Sequence, residues 1–200
     1  NKMEIQILVR HYIELQKNNN INYHGIVCKK TNPKLLLEEA IDNACYIASK
    51  HNILIPKFEL INTKEFYFPY ISEYLYYIFF EIIKNSIYGT NNIINVNKKI
   101  KCDISNDYDK IKIIISDNGI GIKENYMNKI WNYFFTSSNI NFDEFSNLNN
   151  EIPFNGIGCG LPISKLFIEY FNGKIEILSK YEKGTDVYID IYNNDKSIKI

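Results

Sequence analysis

No stretch of this 200-residue sequence approaches about eighteen consecutive apolar residues, so no segment reads as a membrane-spanning helix. There is no excess charge of either sign. The 23 basic and 23 acidic residues cancel to a net charge of zero, which argues against a protein that coats nucleic acid. Cysteine is scarce and wrongly spaced for metal or redox work. Cys28, Cys45, Cys102 and Cys159 form no CxxC pair and have no histidine at ligand spacing, so free thiols in a reducing compartment are expected. No signal-peptide layout is visible. The sequence opens on Asn1 and is expected to be a processed or cut form, with any targeting peptide out of view. No Gly-Lys-Ser/Thr follows its glycine-rich stretch, FNGIGCGLPIS at 154–164, so the P-loop pattern is excluded.

What is present supports a real core. Hydrophobic residues make up 46% of the chain, enough for one substantial domain or a smaller one with an appendage. The tracts NNNIN at 18–22 and NNIINVNKK at 91–99 read as loop padding. Residues 3–17 carry Ile5, Leu8, Val9, Tyr12 and Ile13 at helical spacing. Residues 34–50 repeat that pattern, with Asn32 as N-cap and Pro33 at the first helical position. Short strands are predicted at 57–61 and 66–68. A helix over 71–88, ISEYLYYIFFEIIKNSIY, is apolar nearly all round and therefore buried. Two period-two runs, KIKCDIS at 99–105 and KIKIIIS at 110–116, predict a hairpin. A short helix is predicted at 126–133, another at about 160–172, and two last strands at KIEILS and DVYIDIY. This order predicts an α+β sandwich with helices on one face of a mixed sheet, and a separate helical element in the first fifty residues or so.

Polar residues on the apolar helix stand out. Glu81 and Asn85 lie one turn apart on one face, with Lys84 beside them. An amide oxygen one turn from a carboxylate suits a hard cation such as Mg²⁺, and the carboxylate can then orient or deprotonate a nucleophile. A helix edge reaching water is the plain alternative. Asp117 ends a strand and is followed by Gly119 and Gly121. That is either a turn or a carboxylate at a cavity edge, accepting a hydrogen bond from an exocyclic amine. The loop with Gly156, Gly158 and Gly160 can aim backbone N–H groups at phosphate from the start of a helix, or serve as a hinge.

Taken in order, these motifs resemble the ATP-binding domain of the GHKL superfamily of gyrase B, Hsp90, histidine kinases and MutL, a Bergerat-type α/β sandwich. EIIKNS at 81–86 is similar to its N box and DNGIGI at 117–122 to its G1 box. FFTSS at 134–138, GIGCGL at 156–161 and GTD at 184–186 are similar to the later boxes. Pro162, the turn Tyr170–Gly173 and the Gly-Thr-Asp triplet resemble the mitochondrial protein kinases that act on pyruvate dehydrogenase and branched-chain α-ketoacid dehydrogenase. The resemblance implies a protein-serine kinase using ATP and Mg²⁺, with Glu81 as general base and Asn85 holding the metal. It implies Asp117 on the adenine amine, with Gly119, Gly121 and Thr185 near the base. It places Lys84, Tyr88, Thr136, Ser137, Gly156, Ile157, Gly158, Cys159, Gly160 and Leu161 around the rest of the nucleotide. Tyr88 and Asn118 stand where arginines are common in these kinases.

It further implies that residues 1–24 are the last helix of a bundle plus linker, and 25–200 the catalytic domain with an ATP lid at about 138–160. The implied partners are the E1 alpha subunit of an alpha-ketoacid dehydrogenase complex, its lipoyl-bearing E2 and a second copy in a homodimer. No nucleic acid and no membrane span are implied, and the location is the mitochondrial matrix. Two other readings stay open: the catalytic domain of a sensor histidine kinase with His11 as acceptor, and a nucleotide-gated ATPase without kinase activity.

Overall fold

A computed structural model describes residues 2–17, 21–62, 64–93, 97–107, 109–136, 154 and 156–192. The elements run α1 (Lys2–Lys17), β1 (Tyr23–His24), β2 (Val27–Thr31), α2 (Pro33–Lys50), β3 (Lys57–Ile61), β4 (Phe68–Tyr70) and α3 (Ser72–Asn91). They continue as β5 (Lys99–Asp107), β6 (Lys110–Asp117), α4 (Glu124–Met127), α5 (Gly160–Tyr170), β7 (Lys174–Lys180) and β8 (Gly184–Tyr192).

The main sheet has the order β3-β5-β6-β8-β7. Only β3 and β5 pair in parallel; the rest are antiparallel, so the sheet is mixed as expected. Period-two alternation decides its faces. Ile100, Cys102 and Ile104 of β5, Ile111, Ile113 and Ile115 of β6, and Val187, Ile189 and Ile191 of β8 all point inward and are buried. The outer face carries ion pairs such as Lys99–Glu59 at 2.8 Å and Lys110–Asp190 at 2.5 Å. A fully buried Ile is worth about 1.5–3 kcal/mol and an exposed ion pair about 0–1, so the inner face holds the sheet together.

Helix α3 lies on that inner face, touching β5, β6 and β8, and is covered by α2 and α5. Packing on several sides is why its sequence is apolar nearly all round. Helix α2 starts as predicted: the Asn32 side chain accepts from the N–H of Lys34 and Leu35, with Pro33 at the first position. Leu37, Ala40, Ile41 and Ala44 form its buried stripe.

Helix α1 forms where its spacing predicted. Ile7 and His11 are buried, while Ile5, Leu8, Val9, Tyr12 and Ile13 are exposed. The helix is held by Arg10, the one arginine of the chain, which donates to Glu73 at 2.6 Å. His11 presses on Gly25, whose φ of 57° no side chain would share comfortably and where a methyl would overlap the imidazole.

Two differences have physical causes. The strand expected at 66–68 runs over 68–70 and belongs to a small antiparallel sheet, β1-β2-β4, which sequence periodicity did not announce. Its strands are two to five residues long, too short to show alternation. The helix expected over 126–133 is one turn, 124–127. The chain beyond it is turned away by Phe134, at φ 63°, whose N–H donates to the Gly158 carbonyl at 3.0 Å.

Candidate functional site

A cavity of about 440 Å³ opens between α3, the 117–122 loop, the 130–136 segment and the start of α5. Helix α3 supplies Glu81, Asn85 and Tyr88 to its wall. The 117–122 loop adds Asp117 and Gly121, the 130–136 segment Thr136, the glycine loop Gly158, Gly160 and Leu161, and β8 Thr185. Five of the expected site residues described here do not line it. Gly119 packs on α3, where a methyl would overlap the Gly89 carbonyl, and Ile120 N–H donates to that carbonyl at 2.9 Å. Gly156, Ile157 and Cys159 lead into α5 without lining the cavity. Lys84 also lies off the cavity, its ammonium donating to Glu81 Oε1 at 2.8 Å and lying over the Phe80 ring. Ser137 and residues 138–153 and 155 of the expected lid lie outside the described residues.

Asp117 is the most perturbed acid of the site. It receives hydrogen bonds from the Gly119 N–H at 2.9 Å and from Ser86 and the Thr185 N–H. Burial nevertheless wins and pushes its carboxyl up to about 6, against the pull of those donors, with Asp186 adding a smaller push. The register explains the placement. Asp117 faces Thr185 across β6 and β8, and Thr185 faces Ser179 across β8 and β7. Ser179 Oγ lies 2.8 Å from Thr185 Oγ1, accepts from the Ile122 N–H at 2.8 Å and donates to the Gly184 carbonyl. The base of the cavity is thus wired into three strands and a loop. Gly121, at φ 70°, lets that loop pass the Lys180 carbonyl, where a methyl would overlap.

Neither Ser86 nor Ser179 was singled out in the sequence. Ser86 directly follows Asn85 on the helix, and Ser179 is visible only once the β7–β8 register is known. Apolar walls come from Ile82, Ile120, Ile122, Ile130, Ile177 and Val187. Asn118, where an arginine was noted as common, has a local task. Its amide accepts from the Lys99 N–H and donates to the Asn97 carbonyl, both at 2.7 Å, tying the loop to the start of β5.

The start of α5 completes the site. Its first turn has no side-chain cap among the described residues, and the positive end of the helix favours an anion there. The glycine loop is anchored at its upstream end by Phe154, buried with its ring edge-on to His51 at 6.0 Å. Gly158, at φ 76°, lets the loop lie on the Phe135 carbonyl.

A slot with a buried carboxylate, apolar walls, an uncapped helix start and a second carboxylate fits a nucleoside triphosphate. Among the described residues no cluster of three or more His, Cys, Asp or Glu could hold a metal by itself. A Mg²⁺ ion would therefore take only one or two protein ligands, Asn85 among them, and complete its shell with phosphate oxygens and water.

Comparison with known proteins agrees with this geometry. Residues 71–194 match the model of the histidine kinase-, DNA gyrase B- and HSP90-like ATPase family. The chain is 30% identical over 201 residues to a mitochondrial [pyruvate dehydrogenase (acetyl-transferring)] kinase of Schizosaccharomyces pombe, covering 95% of the chain and 47% of that protein. It is 26% identical over 198 residues to the mitochondrial kinase of the same name from Arabidopsis thaliana, covering 95% and 54%. It is 26% identical over 182 residues to isozyme 1 of Homo sapiens, covering 86% and 41%. The chain spans about half the length of these curated relatives. With the matched segment covering α3, the main hairpin, the 117–122 loop, the glycine loop and β8, this chain belongs to the histidine kinase-, DNA gyrase B- and HSP90-like ATPase family.

Proposed function

We propose that this chain is the catalytic portion of an ATP-dependent protein-serine kinase that phosphorylates and inactivates the E1 component of the pyruvate dehydrogenase complex or another alpha-ketoacid dehydrogenase complex. The observation that carries it is the position of Glu81, on the wall of the nucleotide-sized cavity and directly against the uncapped start of α5. The similarity to mitochondrial pyruvate dehydrogenase kinases supports the choice of substrate and of the mitochondrion as location. The exposed apolar row of α1 supports residues 1–24 as the last helix of a bundle plus linker.

In this reading Asp117 accepts from the adenine amine, and the N–H groups at the start of α5 hold phosphate oxygens. Mg²⁺ supplies charge neutralisation on the triphosphate, next to Asn85. Glu81 orders the substrate serine hydroxyl and takes its proton as the oxygen attacks the terminal phosphorus and ADP leaves. With little covalent chemistry for the protein to perform, positioning and electrostatics carry the rate.

The test is incubation of the full-length protein with labelled ATP and purified dehydrogenase complexes, followed by mapping of the label. An acid-stable phosphate on a serine of the E1 alpha subunit is expected. Label on a histidine, lost in acid, or hydrolysis with no transfer would overturn the reading. The geometry of His11 disfavours the first of these outcomes, because the ring is buried against Gly25 and beside His24.

Asn85→Ala tests the metal. Wild type is expected to bind ATP at least about tenfold tighter with Mg²⁺ than without, roughly 1.4 kcal/mol. Asn85→Ala is expected to erase most of that difference in calorimetric titrations. Equal Mg²⁺ dependence in both proteins would remove Asn85 from the metal's shell.

A further inference from the structure

Lys84 sits one turn from Glu81, yet its ammonium does not reach the cavity wall. The pair is close, at 2.8 Å, and both side chains are largely buried, at 10% exposure for Lys84 and 13% for Glu81. The glycine loop lies directly on top of it. A methyl at Gly160 would overlap Glu81 Oε2, and one at Gly156 would come within 3.7 Å of Lys84 Nζ. The carboxylate is therefore clamped: one oxygen on the ammonium, the other against the first residue of α5. Gly160 leaves room for the carboxylate, while a methyl at Gly156 would make only ordinary contact with the ammonium. The chain's one arginine is spent on α1, so no guanidinium competes for Glu81.

An ion pair buried to this degree is a poor source of stability, but it fixes direction. A carboxylate that accepts a serine proton must be ionised and must face the incoming hydroxyl. A cation held behind it, off the cavity, fixes that direction without entering the space of the nucleotide. On this geometry, and resting on the kinase reading of the same site, we propose that Lys84 is a positioning residue for Glu81. It holds the base aimed from behind rather than binding the triphosphate.

The two roles separate in kinetics. Phosphoryl transfer and nucleotide affinity are measured on the intact wild-type protein, Lys84→Met, Lys84→Arg, Glu81→Gln and the Glu81→Gln/Lys84→Met double variant. Lys84→Met is expected to lower kcat by about 10–100-fold, as when the partner that orients a reacting group is lost. Nucleotide affinity should stay within about twofold, and Lys84→Arg should recover most of kcat, since it keeps the charge. In the Glu81→Gln background, Lys84→Met should cost no further rate, because residues that act as a unit are not additive. A loss of nucleotide affinity as large as the loss of kcat would make Lys84 a phosphate ligand and overturn the proposal. Additive losses in the double variant would overturn it too.

Urea unfolding of the same proteins keeps the pair testable if wild type binds nucleotide but transfers nothing, the outcome that would sink the kinase reading instead. Lys84→Met should then lower the midpoint, by leaving Glu81 buried without its cation, and the double variant should restore it. Equal midpoints for Lys84→Met and the double variant would show no coupling and overturn the proposal independently.

Discussion

Replacing Glu81 by glutamine is expected to slow phosphoryl transfer by about 10²–10⁴-fold while leaving nucleotide affinity within about twofold. The amide is nearly the same shape. It still accepts from Lys84 through its oxygen, so the glycine loop resting on the pair should keep its place. What it lacks is the capacity to take a proton. The variant thus separates chemistry from binding, which a truncation to alanine would not do. Single-turnover transfer from labelled ATP, set beside a calorimetric dissociation constant, makes the comparison. Transfer at the wild-type rate would remove Glu81 as base and leave it as a spacer under the glycine loop.

Asp117→Asn is expected to weaken ATP binding by about 100-fold, near 3 kcal/mol, the loss expected when a buried site built to pair one polar group no longer does so. The carboxylate only accepts, and it faces a cavity whose other walls there are apolar. An amide placed in the same cradle must offer its oxygen to the Gly119 N–H, leaving an NH₂ to meet the adenine amine. Discrimination gives the sharper readout. Wild type should reject ITP, whose ring carbonyl meets a carboxylate, and Asp117→Asn should narrow the ATP-to-ITP ratio. An unchanged ratio would place the base elsewhere.

The same residue sets a pH dependence, and its sign is definite. The Asp117 carboxyl is raised to about 6 in the folded chain, above its ordinary value near 3.8. The hydrogen bond to an exocyclic amine needs the ionised form, so ATP affinity should be full above that range and fall as the pH drops through about 6. For the empty protein the direction is opposite. A raised folded value means that the stability it contributes is present at low pH and lost as the pH rises through about 6, up to about 3 kcal/mol. Bound nucleotide should therefore raise the melting temperature more at pH 8 than at pH 5. Equal shifts at both would uncouple Asp117 from the ligand.

Much of this was legible in the sequence because the signals are short-range. Glu81 and Asn85 are conspicuous on a helix with almost no other polar residue. Asp117 ends a strand announced by the period-two run that starts at Lys110. Asn32 and Pro33 announce the start of α2 by local hydrogen bonding alone. What escaped needed partners far away in the chain. Ser179 matters because of the residue opposite it, and no window of sequence shows that pairing. Helical spacing puts residues 81, 84 and 85 near one another but does not say which of them faces a cavity and which lies behind it. The five apolar residues of α1 marked a helix but did not say which face docks. Only tertiary contact turned Ile7 and His11 inward and left the stronger stripe outside.

The pairing of β6 with β8 has a kinetic corollary. Strands β5 and β6 are separated by two residues and can zip as soon as they meet, whereas Asp117 reaches Thr185 only after a long stretch of chain has been closed. The Asp117 end of the cavity is built on that late contact. Nucleotide has nothing to grip in a chain that has formed its hairpin alone, so ligand adds to the native state and not to the barrier's near side. Saturating ATP should then leave the refolding rate of this chain as it is and express its whole stabilisation as slower unfolding.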